Sequence, residues 1–98
     1  MQDGVRDRKA IPALVRLLHS PIMEARRGAV GALGSMEVKD VIEPLSKTLE
    51  DSDREVRYTA VFALATITGQ WEWAASLELY MQDEQRYLNY WRKWLGTR

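Results

Sequence analysis

The sequence predicts an all-α protein, a short solenoid of about three antiparallel helix pairs. Three observations carry this. The chain repeats itself at a 31-residue interval, apolar residues recur at helical spacing inside each interval, and helix-breaking residues separate the runs at matching places. Sliding residues 10–36 onto 41–67 gives nine identities in 27 pairs. They are Ile11/Ile42, Leu14/Leu45, Leu18/Leu49, Glu24/Glu55, Arg26/Arg57, Ala29/Ala60, Val30/Val61, Ala32/Ala63 and Leu33/Leu64. Most fall at helix-core spacings, so the repeated object is a unit of structure.

The elements follow in order. Pro12 and Pro44 lie near the start of a first helix in each unit, where a missing N–H is least costly, and a late start or a bend is expected there. In the second unit Val38, Ile42, Leu45 and Leu49 form the stripe of an amphipathic helix. Leu18-His19-Ser20-Pro21 and Leu49-Glu50-Asp51-Ser52 interrupt the pattern. Ser20 with Pro21 suits an N-cap followed by Pro at the first helical position, and Ser52-Asp53-Arg54-Glu55 has capping-box spacing. The helix that follows places Val56, Ala60, Ala63, Leu64 and Ile67 on one face, its small alanines allowing close helix approach. Gly69 stops that helix, and residues 71–82 and 83–95 are expected to form two more. Asp83-Glu84 at one end of the last helix and Arg92-Lys93 near the other complement its dipole. The expected division of one domain, 1–98, is a first repeat at 8–36, a second at 38–68 and a closing helix pair at 70–96. Three pairs are about the minimum that buries a continuous core.

Two stretches resemble a known family. Ile11-Pro12-Ala13-Leu14, Leu18, Glu24-Ala25-Arg26, Ala29 and Ala32-Leu33-Gly34 look like a HEAT-like repeat of the phycobilisome-lyase type. So do Ile42-Glu43-Pro44-Leu45, Leu49-Glu50-Asp51, Glu55-Val56-Arg57, Ala60 and Ala63-Leu64. The resemblance spans about residues 8–69. It implies a right-handed solenoid whose second helices line the concave surface. It also implies an acid before each second helix and an arginine early in it, paired along the stack. Asp51, Arg57 and Arg26 fit, whereas Ser20 and Pro21 replace the acid in the first unit. Thr68-Gly69-Gln70 and Tyr90-Trp91-Arg92-Lys93-Trp94-Leu95 are similar to the closing segment of some bacterial HEAT-like proteins, and the stretch 71–89 departs from it.

Composition narrows the function classes. With 98 residues, 46% hydrophobic and 29% charged, the chain reads as one globular domain. Fourteen basic residues balance fourteen acidic ones, which argues against a general nucleic-acid or acidic-membrane binder. The absence of cysteine removes disulfides, thiolate nucleophiles and Cys-ligated metals, and one histidine removes a His-rich metal site. The N-terminal stretch is polar, apolar runs fall far short of the ~20 residues of a membrane span, and the expected compartment is cytoplasmic. The carboxylates Asp51/Asp53/Glu55 and Asp83/Glu84 read as helix caps, and His19 as a dipole partner. No catalytic residue, metal or cofactor is expected.

Placed on the second helices, Tyr58, Phe62 and Ala65 share one outward face, and Arg27, Gly31 and Gly34 are their equivalents one repeat earlier. The expected site is a shallow groove floored by Gly31 and Gly34, walled by Tyr58 and Phe62, with Arg27 at one end. Either a partner occupies it or the C-terminal helices cover it. Trp71, Trp73, Trp91 and Trp94, with Tyr80, Tyr87 and Tyr90, form either an aromatic site served by Arg92 or Lys93, or a core closing the end of the stack. Residues 1–35 carry +3, 36–66 carry −3 and 67–98 are balanced. That asymmetry serves either head-to-tail stacking of chains or simple solvation. The first helix pair begins without a polar cap, so either residues 1–9 or a second chain covers it, and a homodimer through the N-terminal helices is expected. The leading functional reading is a non-catalytic scaffold binding a protein or peptide on the concave face, without nucleic-acid or membrane partners. Its rival, implied by the resemblance, is an enzyme or enzyme subunit of bilin-lyase or DNA-base-glycosylase type.

Overall fold

A computed structural model describes residues 8–98. Six α-helices follow one another: α1 (Ile11–Leu17), α2 (Met23–Met36), α3 (Ile42–Lys47), α4 (Arg54–Thr68), α5 (Leu77–Gln82) and α6 (Glu84–Gly96), with no strand among the described residues. α1 packs on α2 and α3 on α4, α2 lies along α4, and α6 closes against α4 and α5. One apolar core runs through the stack, from Val30, Leu33 and Leu45 through Val61 and Leu64 to Tyr80, Leu88 and Trp91. The all-α stacked architecture read from the sequence is the architecture observed.

The prolines explain why the first helices are short. Pro12 is the second residue of α1 and Pro44 the third of α3, and a single 3-10 turn precedes each helix, at Arg8–Ala10 and Lys39–Val41. The ring of a proline excludes the carbonyl four residues back, here that of Arg8 or Asp40, so a tighter turn leads into the α-helix.

Two expected caps differ in detail. The cap of α4 is Asp53, whose carboxylate accepts from the backbone N–H of Glu55 (2.8 Å) and Val56 (3.2 Å). Ser52 is displaced because Asp51 accepts from the N–H of Asp53 (2.9 Å) and turns the chain one residue later. The helix after Ser20-Pro21 starts at Met23, with Ile22 as its N-cap. Ser20 uses its hydroxyl to accept from the N–H of Ile22 (3.1 Å), which winds a turn where the helix was expected to begin. Both second helices end on a left-handed residue, Gly69 (φ 73°) and Glu37 (φ 56°); only glycine adopts that backbone without a steric cost.

The third pair also departs from expectation. Residues 71–82 are not one helix but a 3-10 turn, Trp71–Trp73, and the short α5. Ser76 breaks them apart, because its hydroxyl caps a fresh helix by accepting from the N–H of Leu79 (3.2 Å).

Two arginines at the same place in the repeat stitch the units together. Arg26 donates from Nη1 to the Ser20 carbonyl (2.9 Å), and from Nε and Nη2 to the two carboxylate oxygens of Asp51 (2.9 and 3.2 Å). Arg57, one period later, donates from Nη1 to the Asp51 carbonyl (2.8 Å), and from Nε and Nη2 to Glu84 (2.5 and 3.2 Å). Each guanidinium thus holds its own interhelix turn and forks onto the acid of the next unit. The buried Tyr80 completes the last rung by donating its hydroxyl to Glu84 (2.5 Å). Glu84 does more than meet a helix dipole: it is the acid of the third unit. Among the described residues, no buried side-chain nitrogen or oxygen lacks a hydrogen-bond partner.

The hydrogen bond from Arg57, seconded by that from Tyr80, holds the Glu84 carboxyl below its ordinary 4.5, and burial pushes the Tyr80 phenol up. A lowered carboxylate contributes stability that is full above its unfolded pKa and is lost as pH falls through the folded value. A raised phenol contributes stability that is full below pH 10 and is lost as pH climbs towards its folded value. Thermal melts should therefore show Tm falling below about pH 4.5 and again above about pH 10. Glu84→Gln should cost about 1–3 kcal/mol at neutral pH and flatten the acid limb; an acid limb as steep as that of the parent chain would show that this rung is not its source.

Candidate functional site

The two second helices come into tight contact at Gly34. A Cβ placed there would lie 2.6 Å from the Cβ of Ala63 and 3.1 Å from its Cα, so only glycine fits. One turn earlier the helices leave space, and a Cβ on Gly31 would meet nothing within 4 Å. A cleft of ≈ 250 Å³ opens there, lined by Gly31, Gly34, Ser35, Thr59, Phe62 and Thr66 among others.

The five expected site residues separate into three groups. Gly31 and Phe62 stay on the cleft. Gly34 borders it but is buried, serving helix contact rather than an open floor. Ala65, placed on the same face by helical spacing, is likewise buried. Arg27 is not a free cation at the groove's end, since it donates to Glu55 across the two helices (2.5 Å). Tyr58 is not a groove wall. Its hydroxyl donates to the Ala75 carbonyl (3.1 Å), its ring lies 5.2 Å from that of Tyr80, and burial raises its pKa.

The C-terminal segment therefore covers half of the face and leaves half open. Phe62 remains 43% exposed. Beside it stands Trp71, 58% exposed, its ring edge-on to Phe62 at 6.3 Å. Wheel reasoning within α4 missed Trp71 because it lies outside that helix. The signal was present in Gly69, whose left-handed backbone ends α4 and leads the chain into the Trp71–Trp73 turn.

The other tryptophans belong to the core. Trp91 is fully buried, and its indole N–H donates to the Trp73 carbonyl (3.3 Å). Trp73 stacks on Tyr90 at 4.0 Å, and Trp94 meets Trp91 edge-on at 5.5 Å. Their cationic neighbours are Arg86, 5.2 Å above Trp73, and Arg98, 5.6 Å above Trp94, in place of the expected Arg92 or Lys93. Arg92 instead forks onto Glu50 (2.8 and 3.0 Å).

Part of the charge asymmetry of the sequence is met by ion pairs between the first two units. Arg8 pairs with Asp40, Arg26 with Asp51 and Arg27 with Glu55, each joining the basic first third to the acidic middle. Among the described residues, no three of His, Cys, Asp and Glu are grouped to hold a metal. No helix there is long and apolar enough to cross a membrane.

Against this geometry, a family model for HEAT repeats matches residues 3–65. The chain belongs to the HEAT-repeat family. In HEAT-repeat terms, α1 and α3 are first helices and α2 and α4 second helices. The match describes HEAT repeats in general and does not single out the phycobilisome-lyase type. It stops short of the closing segment, so Trp71 and the aromatic core behind it lie outside the matched repeats. No match was found among curated proteins or among solved structures.

The two glycines of this HEAT-repeat face should respond oppositely to alanine. Gly31→Ala should raise stability by about 0.5–1 kcal/mol, the helix-propensity gain with no contact to oppose it. Gly34→Ala should lower it by about 1–3 kcal/mol, because α2 and α4 must part to admit the methyl group. Denaturant titration of both variants checks the pair; equal effects would mean that the helices do not meet at Gly34.

Proposed function

We propose that this HEAT-repeat chain is a non-catalytic interaction module that takes a protein or peptide segment on its second-helix face. The observation that carries the reading is the exposed Phe62–Trp71 pair beside the open cleft over Gly31. Adjacent exposed aromatics next to a concavity give a binding surface large area at low entropic cost. HEAT repeats commonly serve as protein-interaction scaffolds, which supports the same reading.

The rim adds chemistry. The hydroxyls of Ser35, Thr59 and Thr66 donate back to carbonyls of their own helices, those of Ala32, Glu55 and Phe62. Their hydrogens are thereby committed, and what they offer a visitor is oxygen lone pairs. A bound segment would place an apolar side chain over Gly31 against Phe62, and direct its own N–H groups at the rim.

Selection from a displayed peptide library, followed by affinity measurement on the winning sequences, tests this. Phe62→Ala and Trp71→Ala should each weaken binding about 10-fold or more, with helicity unchanged. Selected peptides that bind both variants as tightly as the parent would place the binding face elsewhere.

A further inference from the structure

The first helix pair carries an open face that the second pair keeps hidden. Shifted by one period, Ala10, Leu17, Ala25 and Ala32 become Val41, Thr48, Val56 and Ala63. The latter four are buried, at 0%, 5%, 0% and 4% exposure; of these, Ala63 meets Gly34 of the first pair and Thr48 lines a cleft with Val15 and Leu18 of that pair. In the first pair the same positions stand open. Leu17 is 44% exposed, Ala10, Ala25 and Ala32 are only half-buried, and Gly28 among them is exposed. The charged neighbours Arg16 and Glu24 correspond to Lys47 and Glu55, which stay exposed in the second pair and so lie off this face.

Three features select the occupant. A preceding unit of the same repeat would present an arginine to position 20, as Arg26 does to Asp51 and Arg57 to Glu84, and Ser20 has no carboxylate to receive it. At the opposite end of the stack α6 exposes Gln85, Arg86, Asn89 and Arg92, and the exposed apolar side chains of the closing segment, Leu77, Leu79 and Met81, lie on α5 instead, so the last second helix offers no apolar counterpart to α2 for head-to-tail growth. The open face itself combines a knob, Leu17, with shallow positions at Ala25, Gly28 and Ala32. A two-fold axis would seat the knob of each copy over the shallow positions of the other. We propose that a second copy of this chain covers the face, forming a two-fold homodimer through α1 and α2.

Gly28 gives a clean test, because a Cβ there meets nothing within 4 Å in the single chain. Gly28→Lys installs a better helix former four residues after Glu24, so the monomer keeps its fold. In the dimer it brings two ammonium groups into the interface. Sedimentation equilibrium of the parent chain should show a species of twice 11.3 kDa. Gly28→Lys should weaken the dimer by about 100-fold or more at unchanged helicity, and Leu17→Asp should act in the same direction. A parent chain that remains a single 11.3 kDa species up to roughly 1 mM overturns the proposal, as does a Gly28→Lys variant that dimerises normally. So does a monomeric parent that dimerises only after removal of residues 1–7, since those residues would then be the occupant.

Discussion

The second-helix face depends on how closely α2 and α4 can approach. At Gly34 against Ala63 there is no space for one methyl group, while one turn away at Gly31 there is an open cleft. The same helix therefore uses two glycines for opposite ends, one to bring backbones together and one to keep a surface bare. The other end of α2 is fixed by a different force. Arg26 clamps the start of the helix to the Asp51 turn, so α2 is held by a charge-assisted fork at one end and by close packing at the other. Between these two points Phe62 has no cover from its neighbouring helix.

Most of the fold was legible because the repeat obeys two simple periods, 3.6 residues within a helix and 31 between units. Of the stripe Val38, Ile42, Leu45 and Leu49, the last three are buried as spacing required, while Val38 is half-buried in extended backbone before the 3-10 turn, and Gly69 ends α4 where it was placed. What escaped were effects set by distance across the fold. Glu84 could not be assigned to the arginine ladder from a 31-residue shift, because that shift of Asp51 lands on Gln82 and the closing segment carries two extra residues. Tyr58 was placed on the open face because its helical angle is right. Only the return of the chain past Ala75 and Tyr80 shows that it is covered. Trp71 was read with the other tryptophans as one cluster, yet the 3-10 turn leaves it exposed while Trp73, two residues on, stacks into the core.

A net charge of zero conceals a strongly ordered arrangement. The basic and acidic thirds of the chain are adjacent units of the stack, and their opposite signs are joined by pairs that cross the junction. Exposed pairs such as Arg27–Glu55 contribute little energy by themselves. The partly buried forks of Arg26 and Arg57 also occupy the carbonyls of Ser20 and Asp51, so each residue fixes a turn and a junction together.

The attachments of the closing segment fall mainly in one place, with one ion pair, Arg98 to Glu43 (3.6 Å), reaching α3. Tyr58 to Ala75, Arg57 to Glu84 and Arg92 to Glu50 each tie it to α4 or to the turn leading into α4. By contrast, α1 packs chiefly on α2. Local opening in such a molecule is hierarchical. The first helix, α1, can fray while the rest stays intact, but α2, packed along α4 and forked onto Asp51, has to come apart with α4 and the C-terminal third as one cooperative block. Amide protons deep in α4 would then be the last to trade with solvent.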